Sequence, residues 1–187
     1  NNFFDFPFIL KPNDQGSSFG VEKVTDELTF KLAVEEAFKF SDIVLIEKFI
    51  SGREFTCAII ESYEDSSITA FPIVEIVAPN GEYNYENKYF GDKTKYFCPA
   101  EISPEIENQI KKMSMSAFKA LGCEGWARVD LLWDGKNCPQ LIEINTVPGM
   151  TDHSLVPLAA SANNINFDEL VLMILKTSSL NKKGSKS

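Results

Sequence analysis

Residues 126–146 read WARVDLLWDGKNCPQLIEINT. Two apolar runs flank Asp134-Gly135, a dipeptide suited to the left-handed backbone of a tight turn. The stretch therefore predicts a hairpin with strands over 126–133 and 140–146. Residues two apart on a strand share a face, so Arg128 lies with Asp130 and Glu143 with Asn145. If residues 134–139 form the connection, Asp130 sits opposite Glu143 and Arg128 opposite Asn145. Opposed carboxylates repel across a ladder unless something cationic stands between them. A hard divalent ion answers that repulsion, and oxygen donors from Asp, Glu and Asn suit Mg²⁺, which keeps waters and shares phosphate oxygens. Arg128 beside them would neutralise charge that builds up in a transition state. The alternative is a solvated hairpin face with a surface ion pair. The apolar neighbours Val129, Leu131, Leu141, Ile142 and Ile144 favour the metal reading.

Outward from the hairpin, strands and helices alternate irregularly. Residues 6–10 form a buried strand that delivers Lys11-Pro12 into a polar, Gly-bearing loop over 13–20. A short strand leads to a helix starting near Asp26, with Leu28, Leu32, Ala33 and Phe38 at roughly helical spacing. Residues 43–49 are an apolar run broken by Glu47-Lys48, and 53–60 and 70–77 read as strands. Residues 80–99 are polar and aromatic, with the character of a long loop or lid. Ser103-Pro104-Glu105 opens a helix, with a capping hydroxyl, Pro at the first position and acids in the first turn. It runs to about residue 121 and stops at Gly122. A last helix starts near Asn166, and the tail 181–187 is expected to be disordered. This order predicts an α+β fold rather than a doubly wound sheet.

A formal net charge of −9 over 187 residues argues against a nucleic acid or an anionic membrane surface as partner. A polyphosphate ligand would need cations gathered locally. No run approaches the roughly 20 apolar residues of a membrane span, and the opening residues do not read as a signal peptide. A cytoplasmic location is expected. Cys57, Cys98, Cys123 and Cys138 form no CxxC pair, and read as free, mostly buried thiols.

Three weaker constellations accompany the hairpin. Lys11 precedes Gln15-Gly16-Ser17-Ser18-Phe19-Gly20, a small-residue loop whose N–H groups could close on a phosphate while the lysine supplies charge; such a loop is also commonly only a turn. Glu47-Lys48-Phe49-Ile50, with Glu54 beyond Ser51-Gly52, could offer backbone groups to a planar base and a carboxylate to ribose, or be a solvated strand end. Lys88-Tyr89 fits a lid closing over phosphates, or an exposed aromatic loop. His153 is not assigned as a general base.

With these residues in order, five stretches (KPNDQGSSFGVEKV, VLIEKFISGREFTCAI, NYENKYFGDKTKYFCPA, LGCEGWARVDLLWD and LIEINTVPGMTDHSLVPLAA) cover nearly the whole chain. In order and spacing they resemble the D-alanine–D-alanine ligases of the ATP-grasp superfamily. The resemblance implies ATP and two Mg²⁺ (or Mn²⁺) as cofactors. Two D-alanines would be joined through an acyl phosphate for peptidoglycan precursor synthesis. It implies that Lys11, Lys48, Glu47, Ile50 and Lys88 contact the nucleotide and that Glu54 holds the ribose. Asp130, Glu143 and Asn145 would be metal ligands, and Arg128 and the Gly149 backbone would stabilise the tetrahedral transition state. Ser17 and Tyr89 would order the closed site, and Ser154 with the Leu155 backbone would bind the second alanine's carboxylate. A tyrosine at position 89 resembles the dipeptide ligases, whereas related D-lactate-using enzymes have histidine. The resemblance further implies residues 1–46 as the end of the central nucleotide-binding subdomain, 47–180 as the C-terminal catalytic domain, an absent N-terminal domain, and a homodimer in the full-length protein. On this reading the 187 residues alone would not turn over. Two alternatives stand beside it: another ATP-grasp ligase with a different acid and amine, and a nucleotide-binding or interaction module without catalysis. The TVPGMTDHSLVP stretch argues against the first, and the intact Asp130, Glu143 and Asn145 against the second.

Overall fold

The computed structural model describes residues 5–79 and 94–178. Lys88, Tyr89, the rest of the expected lid over 80–93 and the expected tail lie outside the described residues. The chain divides into two compact units: among the described residues, the first holds those through Ser51 together with Ala78, Pro79 and Thr94, and the second holds Gly52–Val77 and those from Lys95 onward.

In the first unit, β1 (Phe8–Pro12) lies between β2 (Glu22–Val24) and β3 (Val44–Lys48) in an antiparallel sheet of order β2-β1-β3. α1 (Glu27–Ala37) begins where expected: Asp26 accepts from Leu28 N and Thr29 N, and Thr29 Oγ1 accepts in turn from the Asp26 N–H. This capping box occupies N–H groups that the helix itself leaves unpaired. Its inner face joins Ala33 and Ala37 to Phe8, Leu10 and Val24 in a small core. β3 pairs with β1 along its whole length, from Pro12↔Val44 to Phe8↔Lys48. The boundary expected at residue 46 therefore falls inside a paired strand, and the fold divides after Ser51.

The second unit holds β4 (Arg53–Glu61), β5 (Ile68–Ala70), β6 (Val74–Val77), β7 (Lys95–Phe97), β8 (Trp126–Trp133) and β9 (Gln140–Asn145). They form one antiparallel sheet of order β7-β6-β4-β8-β9, with β5 also paired to β4. The strand expected over 70–77 is two, separated by Phe71-Pro72-Ile73, where proline cannot donate to a ladder. The end of the expected 80–99 loop is a strand as well, since β7 pairs with β6. α2 (Pro104–Ala120) has Ser103 as N-cap and Pro104 at its first position, and Gly122 beyond its end takes φ +62. Ile110 and Phe118 of α2 pack on Phe55, Cys57 and Ile59 of β4 and Ala127, Val129 and Leu131 of β8.

Strand alternation sends Thr56, Arg128 and Asp130 to the opposite face of the same sheet. That face is also covered in part: α3 (Leu155–Ala162) packs against β4 and β6, whose Ala58, Ile60, Val74 and Ile76 are buried. β4 is thus buried on both faces and does not show the alternation of a half-exposed strand. α4 (Phe167–Thr177) packs on α3 and begins with a capping box between Asn166 and Glu169. No helix among the described residues is long and apolar enough to cross a membrane. All four cysteines are free. Only Cys57 is fully buried, Cys98 and Cys123 are half-buried and Cys138 is exposed, which corrects the expectation of mostly buried thiols.

Candidate functional site

The hairpin sets the register on which the site depends. Asp130 pairs with Glu143 and Arg128 with Asn145, as the chain arithmetic requires. On the other side of β8, Asp130 pairs with Thr56 of β4. Thr56, Asp130 and Glu143 therefore form a row across three adjacent strands. Between Asp130 and Leu131 the register shifts, so that Leu131 faces Leu141 and Leu132 faces Gln140, leaving Ile142 as the extra residue of a bulge.

Asp130 is 6% exposed, and a buried carboxylate must be paired. Four donors surround it. Arg128 grips both oxygens, Nε to Oδ1 at 2.9 Å and Nη2 to Oδ2 at 2.8 Å. Thr56 Oγ1 donates to Oδ1 at 2.7 Å, and Asn145 Nδ2 donates to Oδ2 at 3.1 Å. Asn145 Nδ2 also lies 3.1 Å from Oε1 of the exposed Glu143, so one amide bridges both carboxylates. The repulsion anticipated across the ladder is met by Arg128 on one carboxylate and by the shared amide. Among the described residues no three His, Cys, Asp or Glu side chains converge as a metal cluster. Here two carboxylates and one amide converge, a hard-oxygen donor set that suits a small divalent cation retaining water and phosphate ligands. The residues fit Mg²⁺ or Mn²⁺ on that ground.

Gly149, Ser154 and Leu155 meet at the start of α3. Ser154 is the N-cap, but its hydroxyl is turned to the preceding loop, accepting from Thr151 N at 3.0 Å and lying 2.9 Å from Thr151 Oγ1. A Cβ on Gly149 would come within 3.2 Å of Ser154 Oγ, so glycine permits this approach. The first N–H groups of α3 lack intrahelical partners and form an anion-seeking end. His153 is exposed, 3.7 Å from Asp152. Glu54 is half-buried on β4, one residue from Phe55.

In the first unit, Lys11 Nζ and Glu47 Oε2 form an ion pair at 2.6 Å. Lys11 pairs with Leu45, so Glu47 lies two residues along on the same face, within reach of a long side chain. Lys48 is exposed and Ile50 half-buried, and Ser17 stands exposed in a turn where it and Ser18 take φ of 53 and 59. Sequence reasoning missed Thr56. Its partner lies 74 positions away, and only the β4–β8 pairing connects them.

An antiparallel sheet carrying facing carboxylates on two neighbouring strands, with a smaller three-stranded sheet before it, is the architecture of the ATP-grasp class; the chain supplies part of the central subdomain and the C-terminal domain. Within that class, a family model described as D-ala D-ala ligase C-terminus matches residues 1–176, and the chain belongs to this family. A D-alanine–D-alanine ligase from Bordetella avium is 47% identical over 173 residues, covering 92% of this chain and 54% of that protein. One from Cupriavidus pinatubonensis is 42% identical over 174 residues, with 93% and 53% covered. Among solved structures, the VanG D-Ala:D-Ser ligase from Enterococcus faecalis superposes with a TM-score of 0.81 at 31% identity, covering 92% of this chain and 50% of that one. The ATP complex of the Bacillus anthracis D-alanine–D-alanine ligase gives 0.72 at 32% identity, with the same coverage. The chain spans about half the length of the curated relatives it matches.

Proposed function

We infer that the protein containing this chain is an ATP-dependent ligase that joins two D-alanines through an acyl phosphate, releasing ADP and phosphate. The observation that carries this reading is the convergence of Arg128, Asp130, Glu143 and Asn145 on one sheet face. Family membership and relatives named as D-alanine–D-alanine ligases support the substrate.

Asp130, Glu143 and Asn145 would hold two Mg²⁺ or Mn²⁺ ions, which when bound neutralise phosphate charge as Lewis acids. The Asn145 amide bonds both carboxylates, and half a turn about its last torsion would present its oxygen to a cation instead. Arg128, fixed in orientation by its bidentate grip on Asp130, offers charge to the developing tetrahedral centre, as does the Gly149 backbone. Ser154 and the Leu155 N–H receive the carboxylate of the attacking alanine at the α3 end. Lys11, Glu47, Lys48 and the Ile50 backbone serve the nucleotide, Glu54 the ribose, Lys88 the phosphates, and Ser17 with Tyr89 the closed state. Lys11 must exchange Glu47 for phosphate when ATP arrives. The reading carries a cytoplasmic location and a homodimer, which sedimentation of the full-length gene product measures.

The test is D-alanine-dependent phosphate release by the full-length gene product with ATP and Mg²⁺. Release only with D-alanine, reduced by about 10²–10³-fold or more in Glu143→Gln, is expected. Silence with D-alanine and turnover with another acid and amine would retain the class and overturn the substrate. A preference for D-serine as second substrate would instead align the protein with the VanG relative.

A further inference from the structure

We propose that Thr56 is a positioning residue for the cation site: its hydroxyl fixes the Asp130 carboxylate so that Oδ2 stays turned toward Glu143. The inference rests on the reading of Asp130, Glu143 and Asn145 as metal ligands.

Thr56 lies in the middle of β4, 1% exposed, between the fully buried Phe55 and Cys57. A hydroxyl in that position must donate, and it has one proton and two acceptors in reach. Val129 O is at 3.2 Å and Asp130 Oδ1 at 2.7 Å. The short distance and the ionised acceptor assign the proton to the carboxylate, because charge-assisted bonds are the shorter and stronger kind. A β-branched side chain on a strand buried on both faces has little freedom at χ1, so this donor is rigid.

The four bonds to Asp130 divide by oxygen. Oδ1 receives Thr56 and Arg128 Nε; Oδ2 receives Arg128 Nη2 and Asn145. Asn145 Nδ2 bonds both Oδ2 and Glu143 Oε1, so Oδ2 is the oxygen on the side of the second carboxylate. Thr56 holds the opposite oxygen from the sheet interior. It keeps the carboxylate plane in place while Asn145 turns. Without Thr56, Oδ1 is held only from Arg128, whose guanidinium the reaction also needs, and the carboxylate can rotate about its last torsion. Partners behind a ligand of this kind influence metal affinity by about 10–100-fold.

The experiment uses the full-length gene product saturated with a non-hydrolysable methylene analogue of ATP, titrated with Mn²⁺ and followed by electron paramagnetic resonance. Wild type, Thr56→Val, Thr56→Ser and Asp130→Asn are compared, with circular dichroism as the check on folding. Thr56→Val should bind Mn²⁺ about 10–100-fold more weakly, and Thr56→Ser, which keeps the hydroxyl, should return close to wild type. A role through packing alone would leave the Val variant, which has the same shape, unchanged and would overturn the proposal. So would a Ser variant as weak as Val. If Thr56→Val does not fold, Thr56→Ala removes the hydroxyl without added bulk, and wild-type affinity there overturns the proposal equally. Asp130→Asn separates the two levels. Undiminished Mn²⁺ binding in that variant sinks the metal reading itself, whereas loss there with no change at Thr56→Val sinks only the inference about Thr56.

Discussion

The two ion pairs described above, Lys11–Glu47 in the first unit and Arg128–Asp130 in the second, contain the same kinds of group in unlike settings. The first joins side chains 19% and 43% exposed by one contact at 2.6 Å. The second joins side chains 19% and 9% exposed by two parallel bonds, with Thr56 and Asn145 completing the acceptor. A pair whose carboxylate is open to water and bound by one contact gains little and is held loosely. A buried carboxylate with four donors is held from several sides at once. The difference teaches that the first pair rests on a single contact, while the second is one part of a buried network that also includes Thr56 and Asn145. The cores match this division. The small cluster under the first sheet leaves Leu28 69% and Leu32 59% exposed on α1, whereas the central strand of the second sheet is covered on both faces.

The comparison breaks most readily through its charges. Arg128→Met strands a buried carboxylate and should destabilise the second unit by about 3–5 kcal/mol, whereas Lys11→Met should change stability by about 1 kcal/mol or less. Urea denaturation of both variants measures the contrast, and equal effects would erase it. The glycines should differ in the same sense. A Cβ at Gly52 would lie 2.0 Å from the Trp133 carbonyl oxygen, and nothing stands within 4 Å of one at Gly16. Gly52→Ala should therefore cost about 2–3 kcal/mol or more, and Gly16→Ala should stay within about 0.5 kcal/mol of wild type. Thermal unfolding reads both.

Thiol labelling sharpens the account of the second core. Burial against α2 pushes the Cys57 thiol up to about 12, so the reactive thiolate is scarce at pH 8. Timed alkylation with mass spectrometry should modify the exposed Cys138 first and Cys57 last, only on unfolding. The smallest effect belongs to the hairpin turn. The backbone N–H of Asn137, its side-chain amide and the N–H of Lys136 hold the Asp134 carboxyl down at about 2, from an ordinary 3.8. A depressed carboxyl stabilises the folded turn fully above its unfolded value and loses that contribution as pH falls through the folded one. The turn should loosen between pH 4 and pH 2, and a carbon-detected NMR titration of Asp134 with an ordinary midpoint would contradict this.

Much of this was legible locally. Asp26, Ser103 and Asn166 mark helix starts because a cap acts on N–H groups two or three residues ahead. The pairing of Asp130 with Glu143 and Arg128 with Asn145 followed from turn length, and four of the expected site residues meet there. What stayed hidden depends on distant chain. Thr56 has no signal within β4, since its role comes from the neighbouring β8. The short α3, with Pro157 in its first turn, presents an apolar run without a polar face and gives little helical periodicity. The break at Phe71-Pro72-Ile73 interrupts an apolar stretch that reads as continuous.

The bulge at Ile142 has an evolutionary consequence. From Asn145 to Glu143 the strand follows one parity, and beyond the bulge, toward the turn, it follows the other. A lineage can thus gain or lose residues in the exposed 134–138 stretch of the connection, and the change in phase is absorbed by a strand segment that already tolerates an unpaired residue. Variation at the tip is insulated from the carboxylates, leaving the most changeable part of the hairpin free to drift while its chemistry stays in step.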